Sequence, residues 1–498
     1  TGTALSPDGS LAAYVVREPI MGEDESRYLS HIWMVSTSGG EPRQFSRGDQ
    51  SASSPAFSPD GLFLAFTTSR SGSNQVWVMP VDGGEAKQVT DYEGGIGSFQ
   101  WAPGGGSFAF TARDPESAEA KAAKEEKRDV ILVDQDFRYA HLHTVPFAFD
   151  AREIPESRRL TEGEFHVTGF DWVPDGTKIV FAFQADPRIN TGRLSGDVSV
   201  VELMSGEVQP LAEGPGVESS PNVSHDGRWV AYLSTGDQIE PIGLNDVYLV
   251  PVGGGASRKL ADTPDRSSSI LGWSWDNRSV LIQESIRTTR HLLAVPADGS
   301  PVSPLTGGEG VFGNFSFDGD ASHFAFTFET PDTPWDLYVS PLGRFRMERL
   351  TDLHAEIPRP EMGRTELLEW ESQDGRFRID GLLTYPVGHE EGDRVPLILN
   401  VHGGPGGVYS RSFTGGPSTY MLQTFAQEGY AILRPNPRGS RGYGKDFRYA
   451  NFRDWGFGDM DDLMAGVDEV IEMGVAHPDS LLLMGWSYGG YMTSFAVT

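Results

Sequence analysis

A serine near the C-terminal end of the chain is surrounded by residues that suit a catalytic nucleophile. The apolar run Leu481–Met484 leads into residues 485–489, which have the G-x-S-x-G pattern of a turn that lifts a serine above a parallel sheet. The two flanking glycines leave room for a sharp turn from strand to helix, in which the serine has a strained backbone. The sequence therefore predicts Ser487 as the nucleophile, with a positive or nearly positive φ and a side chain that faces a cavity between two domains.

A glycine-rich loop about 85 residues upstream supplies the second part of such a site. The apolar strand Val395–Val401 opens directly into this loop, at residues 402–407. Acyl transfer develops negative charge on the former carbonyl oxygen, and glycines let backbone N–H groups approach it, each donor contributing about 3 kcal/mol. We assign the oxyanion donors to the N–H groups of Tyr488 and a glycine, with Gly404 preferred to Gly403.

The chain positions of the histidines indicate which of them could act as the catalytic base. His402 precedes the oxyanion loop and is interpreted as a residue that orders this loop, not as the base. In this fold class the chain order is Ser, then Asp or Glu, then His, yet all eleven histidines precede Ser487. We therefore expect the triad Asp and His beyond Thr498, a C-terminally truncated fragment, and no activity from the chain as written.

Composition limits the remaining possibilities. The 498 residues exceed what one hydrophobic core supports, so two domains are expected. The net charge of −30 disfavours nucleic acid or an anionic membrane as a partner. The chain has no Cys, which excludes disulfides and thiolate sites. A cytoplasmic location is favoured, and a secreted or periplasmic one stays open because the chain starts at Thr1 without Met.

An internal repeat organises the N-terminal part. Seven turns, most of SPDG type, each precede an apolar or alternating run, at a spacing of about 42 to 52 residues except for one longer interval. Four short strands at this period describe a propeller blade. We predict a seven-bladed β-propeller at residues 1–355, with a first blade that is incomplete or closed by strands from elsewhere. The turns follow Leu5, Phe57, Trp101, Trp172, Val223, Trp273 and Phe315.

The longer interval contains a charged segment, Asp114–Arg128, which is predicted to be a helical or solvated insertion in the third blade. Glu125 and Glu126 are interpreted as part of a solvated surface, with binding of a substrate's amino group as the alternative. His141 and His143 share one face of a predicted strand. Two histidines without a third ligand favour a core or surface role over a metal site.

Strands and helices alternate in residues 356–498, which predicts a mostly parallel, doubly wound sheet, that is, an incomplete α/β-hydrolase domain. Helices are predicted at Asp459–Met473 and Tyr491–Val497, and a buried strand is predicted before Ser487.

Three motifs resemble one known family. They are the turn GWSYGGYM at 485–492, the loop VHGGPGG at 401–407 and the segment PNPRGSRGYGKDFR at 435–448. Behind a seven-bladed propeller, they resemble the prolyl oligopeptidase (S9) family of serine peptidases, especially its acylaminoacyl-peptidase and dipeptidyl-peptidase 5-like branch. The resemblance implies that Ser487 is the nucleophile, that Gly404 and Tyr488 donate to the oxyanion, and that the propeller admits only short peptides.

The predicted function is a serine exopeptidase or oligopeptidase that cleaves short peptides through an acyl-enzyme on Ser487. An esterase would share the hydrolase motifs, and a non-catalytic propeller scaffold would share the repeats. The propeller argues against the first, and the intact nucleophile turn argues against the second. Short peptides are the expected partners, a homo-oligomer is left open, and neither metal nor cofactor is expected.

Overall fold

The computed structural model describes residues 2–22, 26–130, 132–135, 137–188, 194–236, 242–358 and 360–498. Up to Arg349, the described chain folds into antiparallel sheets in which neighbouring strands follow one another in sequence. The first three sheets contain β1 (Thr3–Leu5), β2 (Leu11–Met21), β3 (Ser26–Ser36) and β4 (Arg43–Gln44); β5 (Ala52–Phe57), β6 (Phe63–Thr68), β7 (Gln75–Pro80) and β8 (Lys87–Gln88); and β9 (Phe99–Trp101), β10 (Ser107–Arg113), β11 (Ala140–Pro146) and β12 (Arg158–Arg159).

Two more four-stranded sheets follow, and then an eight-stranded sheet that joins two four-stranded meanders through a parallel bridge between Arg290 and Val311. The four-stranded sheets contain β13 (His166–Trp172), β14 (Lys178–Gln184), β15 (Asp197–Glu202) and β16 (Val208–Ala212); and β17 (Glu218–Val223), β18 (Trp229–Ser234), β19 (Asp246–Pro251) and β20 (Arg258–Lys259). The eight-stranded sheet contains β21 (Ser269–Trp273), β22 (Ser279–Ile286), β23 (Thr289–Pro296) and β24 (Ser303–Pro304); and β25 (Val311–Phe317), β26 (His323–Thr330), β27 (Thr333–Pro341) and β28 (Glu348–Arg349).

The repeated turns reverse the chain by the chemistry that their residue types predict. Ser58 Oγ donates to Asp60 Oδ1 at 2.5 Å, and the glycine that follows has a φ of 72°. The seventh turn lies two residues later than the sequence pattern predicted. There the Ala321 N–H donates to the Asp318 carbonyl oxygen at 3.1 Å, so Asp318 occupies the position that serine has in the other repeats.

Apolar side chains fill the spaces between successive meanders. Phe108 and Phe110 of the third meander pack with Val76 and Val78 of the second, for example. Leu5 and Tyr14 of the first meander pack in the same way with Leu337 and Val339 of the last. The first and last meanders are therefore neighbours.

The prediction of an incomplete first blade is wrong. Residues 3–44 supply all four strands of the first meander, in the order β1-β2-β3-β4. The three residues Thr3–Leu5 suffice for β1 because they pair in full with residues 12–14 of β2.

The charged segment of the third meander is a solvated insertion, as predicted. Helix α1 (Ala118–Glu125) has no buried residue and is capped by the Ser117 side chain, which accepts from the Ala120 N–H at 3.1 Å. Glu126 pairs with the exposed Arg128.

His141 and His143 lie buried on β11, where the ring of His143 contacts Tyr92 and Phe110. In the described part of the chain, no group of three or more His, Asp or Glu side chains is placed to hold a metal ion. None of the described helices is long and apolar enough to cross a bilayer.

The C-terminal part forms a five-stranded sheet with the order β29-β30-β32-β31-β33. β31 pairs in parallel with both β32 and β33. Its elements are β29 (Thr365–Glu371), β30 (Arg378–Thr384), β31 (Val395–Val401), β32 (Ala431–Asn436) and β33 (Ala476–Gly485), with helices α2 (Leu422–Gln427), α3 (Lys445–Tyr449), α4 (Gly458–Glu472) and α5 (Tyr488–Phe495).

The strand that leads to Ser487 differs from the prediction of a buried strand. β33 is at the edge of the described sheet, so one side of the strand has no neighbour, and Leu481 and Leu482 are 44% and 45% exposed. Helix α4 covers the sheet through Leu463, Val467 and Val470.

Loops of the fifth to seventh meanders connect the two parts of the molecule. Arg287, in the turn between β22 and β23, donates from Nε to Asp380 Oδ2 at 2.9 Å, and its backbone N–H donates to the Gly442 carbonyl oxygen at 2.7 Å. Glu369 also pairs with Arg287. Asp380 is fully buried and accepts a further bond, at 2.8 Å, from the Tyr443 hydroxyl.

Removing this arginine should destabilise the protein markedly. Arg287→Ala leaves the Asp380 carboxylate buried without its cation, a change that typically costs about 3–5 kcal/mol of unfolding free energy. Urea unfolding of both proteins measures the loss. The matched control is Arg346→Ala, which breaks the exposed pair with Glu348 and should cost less than about 1 kcal/mol. Equal losses for the two variants would contradict the importance of the Asp380 contact.

Candidate active site at the nucleophile turn

Ser487 occupies a strained turn at the end of β33. Its φ of 58° and ψ of −119° confirm the predicted positive φ, which non-glycine residues rarely adopt. Helix α5 begins at the next residue, and the Tyr491 N–H donates to the Ser487 carbonyl oxygen at 3.0 Å. The serine is exposed, so its hydroxyl is accessible to a substrate.

The glycines of the turn are required by close backbone packing. A Cβ on Gly485 would lie 2.5 Å from the Gly489 carbonyl carbon. A Cβ on Gly489 would overlap the carbonyl oxygen of Val401, the last residue of β31. The helix therefore lies directly against the end of the neighbouring strand, and this contact brings the oxyanion loop beside the serine.

The structure brings the predicted oxyanion loop to Ser487. A Cβ on Gly403 would lie 3.5 Å from Ser487 Cβ and 4.0 Å from its Oγ, so Gly403 borders the hydroxyl. The backbone N–H groups of Gly403, Gly404 and Tyr488 donate to no residue that the structure describes. All three predicted donors are thus available for a ligand oxygen, and of the two glycines only Gly403 has Ser487 among its nearest neighbours.

His402 is buried beneath this loop, and each of its two ring nitrogens has a hydrogen-bond partner. Its Nδ1 lies 2.9 Å from the Gly403 carbonyl oxygen and its Nε2 lies 3.0 Å from Ser440 Oγ. Because a carbonyl oxygen only accepts, Nδ1 carries the proton, and Nε2 faces the hydroxyl of Ser440. Burial lowers the pKa of His402 to about 4. These contacts support the predicted role of His402 in ordering the loop.

Tyr488 has an anchor that the sequence did not indicate. The Tyr488 hydroxyl donates to Asp459, a fully buried carboxylate that also accepts from the Gly456 N–H at 2.8 Å and the Met460 N–H at 2.9 Å. Burial raises the pKa of Asp459. The side chain of the residue that follows the nucleophile is thus fixed to the start of α4. The acidic first turn of that helix was visible in the sequence, but its distant partner was not.

A second buried ion pair positions the segment that carries Ser440. Arg438 donates from Nε to Asp462 Oδ2 and from Nη1 to Asp374 Oδ2, each at 2.8 Å. Hydrogen bonding to Asp462 raises the pKa of Arg438, and the bond with Arg438 lowers the pKa of Asp374. Arg438 therefore fixes the loop beneath His402, because its guanidinium group binds both Asp462 and Asp374.

A cavity of about 690 Å³ lies between the two parts of the molecule, but Ser487 is not in its lining. It is bordered by Trp335 and Glu329 of the seventh meander and by Phe413 and Met421 of the C-terminal part. The prediction that Ser487 faces an interdomain cavity is not met by this cavity.

Comparisons with known proteins agree with these motifs. Residues 418–498 match the model of the prolyl oligopeptidase family. The chain is 28% identical to the uncharacterised peptidase YuxL of Bacillus subtilis (strain 168), a match that covers 100% of this chain and 78% of that protein. It is 26% identical to dipeptidyl-peptidase 5 of Porphyromonas gingivalis, with coverage of 98% and 73%.

Solved structures show the same fold. The acylaminoacyl peptidase of Pyrococcus horikoshii has a TM-score of 0.76 and 23% identity, over 99% of this chain and 75% of that one. An acylaminoacyl peptidase in complex with Z-Gly-Gly-Phe-chloromethyl ketone has a TM-score of 0.77 and 22% identity, over 99% and 75%. The fold that this protein shares with them is a propeller followed by a hydrolase domain. The chain is therefore related to the prolyl oligopeptidase family of serine peptidases, and the predicted resemblance is confirmed.

The buried state of His402 predicts a pH dependence. Because its folded pKa of about 4 lies below the ordinary value of ~6.5, the unfolded chain binds a proton that the folded protein does not. The contribution of His402 to stability is complete above pH ~6.5 and falls by about 1.4 kcal/mol per pH unit as the pH drops toward 4.

Urea unfolding between pH 7 and pH 5, two conditions that bracket the ordinary histidine pKa of about 6.5, should show a smaller loss for His402→Gln than for the unsubstituted chain. The exposed His477 is the matched position, and His477→Gln should follow the unsubstituted chain. A parallel decline for His402→Gln would mean that this imidazole is not buried in the neutral form.

Proposed function

We propose that the protein is a serine peptidase that cleaves short peptides through an acyl-enzyme on Ser487. The observation that carries this proposal is the exposed Ser487 in a strained turn beside the N–H groups of Gly403 and Tyr488, which donate to no residue in the described part of the chain. Ser487 Oγ attacks the scissile carbonyl carbon, a general base takes its proton, and the backbone donors stabilise the oxyanion. The peptidases among the relatives support this assignment.

We further propose a closed seven-bladed propeller at residues 1–355 and a hydrolase domain at residues 356–498. The packing of the last meander on the first supports closure. A propeller that covers the active site of the hydrolase would admit short peptides and exclude folded proteins, so substrate size follows from the architecture.

The general base is the component that the described residues do not place at Ser487. The hydrolase part holds three histidines, and His402 is occupied by its own loop. His477 lies near the start of β33, at the opposite end of this strand from Ser487. His389 precedes β31, at the amino ends of the parallel strands. We infer that the 498-residue chain alone does not turn over peptides.

Substitution of the nucleophile tests the proposed function. In a version extended at the C-terminus to the length of its relatives, Ser487→Ala should abolish cleavage of short chromogenic peptides, a loss of about 10⁶ in turnover. Circular dichroism and thermal unfolding should match the unsubstituted protein. An organophosphonate probe should label only Ser487, as located by mass spectrometry. Labelling of another serine, or activity that survives the substitution, would refute the assignment.

The proposed lack of a base is tested by comparing the 498-residue chain with the extended version. Short chromogenic peptides with free and acetylated N-termini are offered to both. Only the extended version should turn them over, because a serine without a positioned base is a poor nucleophile. Comparable turnover would show that His402 or another residue of this chain serves as the base.

A further inference from the structure

Two arginine side chains near the oxyanion loop have no ion-pair partner among the described residues. Arg441 is exposed, and its backbone N–H donates to the Gly407 carbonyl oxygen at 3.1 Å. Arg290 lies on β23 of the sixth meander and is half-buried. Neither guanidinium group forms a hydrogen bond or an ion pair with any residue in the described part of the chain.

The backbone places both groups at one gap between the propeller and the hydrolase part. The Arg287 N–H donates to the Gly442 carbonyl oxygen at 2.7 Å, which sets the residue after Arg441 against the turn that leads into β23. Arg290 follows three residues after that contact. Burial lowers the pKa of Arg290, the charge of Glu329 raises it, and the charge of Arg441 lowers it.

The nearby acidic groups do not neutralise this pair. Glu309 pairs with Arg411. Glu329 interacts with Arg290 through space without forming an ion pair, and its carboxylate accepts from the Phe413 N–H at 3.3 Å. Burial raises the pKa of Glu329.

Two cations held together and partly desolvated are unfavourable unless an anion joins them. A carboxylate is the natural anion, because guanidinium groups bind it through two parallel hydrogen bonds. Arg290 Nη1 lies near Gly313, whose Cβ, if present, would be 3.7 Å from it. In a chain with a net charge of −30, this gap is a local site of opposite potential.

We propose that Arg290 and Arg441 bind a carboxylate group of the peptide substrate. This inference rests on the proposed peptidase function. Arg441 contacts Gly407 of the oxyanion loop, and Gly403 of the same loop borders Ser487. A peptide advances about 3.3–3.6 Å per residue, so the proposal places the C-terminal carboxylate a few residues from the scissile bond. The site would then favour short peptides with a free C-terminus, and an acidic side chain is the other source of the same group.

Binding measurements on Ser487→Ala distinguish the contribution of the carboxylate to affinity from that of the rest of the peptide. Isothermal titration compares three probes at low salt: tetra-alanine as the free acid, tetra-alanine as the C-terminal amide, and Ala-Ala-Asp-Ala as the amide. We expect the free acid to bind about tenfold more tightly than its amide. Added salt should weaken binding of the free acid and leave binding of the amide nearly unchanged.

Arg290→Gln and Arg441→Gln in the same background should each lower affinity for the free acid by about tenfold and leave the amide unaffected. Arg441 is exposed, so this variant keeps the test valid even if Arg290→Gln unfolds. Arg346→Gln is the matched control and should bind like the parent, because Arg346 pairs with Glu348 away from the gap. Tight binding of the aspartate amide would support the carboxylate site and assign it to an acidic side chain.

Equal affinity for acid and amide, loss of both in the arginine variants, or no binding up to about 10 mM would overturn the proposal. Phosphonate labelling of Ser487 in the extended version tests the peptidase function separately. Labelling without a carboxylate preference refutes only this inference, and a carboxylate preference without labelling refutes only the proposed function.

Discussion

The close approach of two backbone segments at the carboxyl edge of the sheet is the constraint on which the candidate site depends. Helix α5 can lie against the end of β31 only because Gly485 and Gly489 have no side chains. This contact places Gly403 beside Ser487 and leaves the Tyr488 N–H without a partner among the residues that the structure describes. A side chain at either glycine would separate the hydroxyl from the donors that the chemistry requires.

Buried carboxylates hold the residues around the candidate site in place. Asp459 fixes the Tyr488 side chain, and Asp462 fixes Arg438. On the other side of the sheet, Asp380 joins the hydrolase part to Arg287 of the propeller. Each carboxylate is fully buried, so each would be costly without its partner. The site is therefore held rigidly from within the hydrolase part and is attached to the propeller by the same kind of contact.

Local features were predictable from the sequence because their chemistry is local. The positive φ of Ser487 follows from the G-x-S-x-G turn, and the glycine-rich loop follows from its place after an apolar strand. The repeats predicted the meanders for the same reason, since Ser, Asp and Gly within four residues determine the turn. The seventh turn was placed two residues early because Asp318 substitutes there for serine.

Features that depend on distant residues were not predictable. Arg287 and Asp380 are 93 positions apart, and nothing in the sequence pairs them. The charges of Arg290 and Arg441, which pair with no described residue, likewise come together only when the two parts of the molecule meet.

The central claim is that Ser487 reacts beside a preformed oxyanion site. A crystal structure of the organophosphonate adduct tests it most directly. The account predicts phosphorus bonded to Ser487 Oγ, with the phosphonyl oxygen about 2.7–3.1 Å from the Tyr488 nitrogen and from the nitrogen of Gly403 or Gly404. An adduct on another residue, or a phosphonyl oxygen that faces solvent away from these nitrogens, would contradict the account.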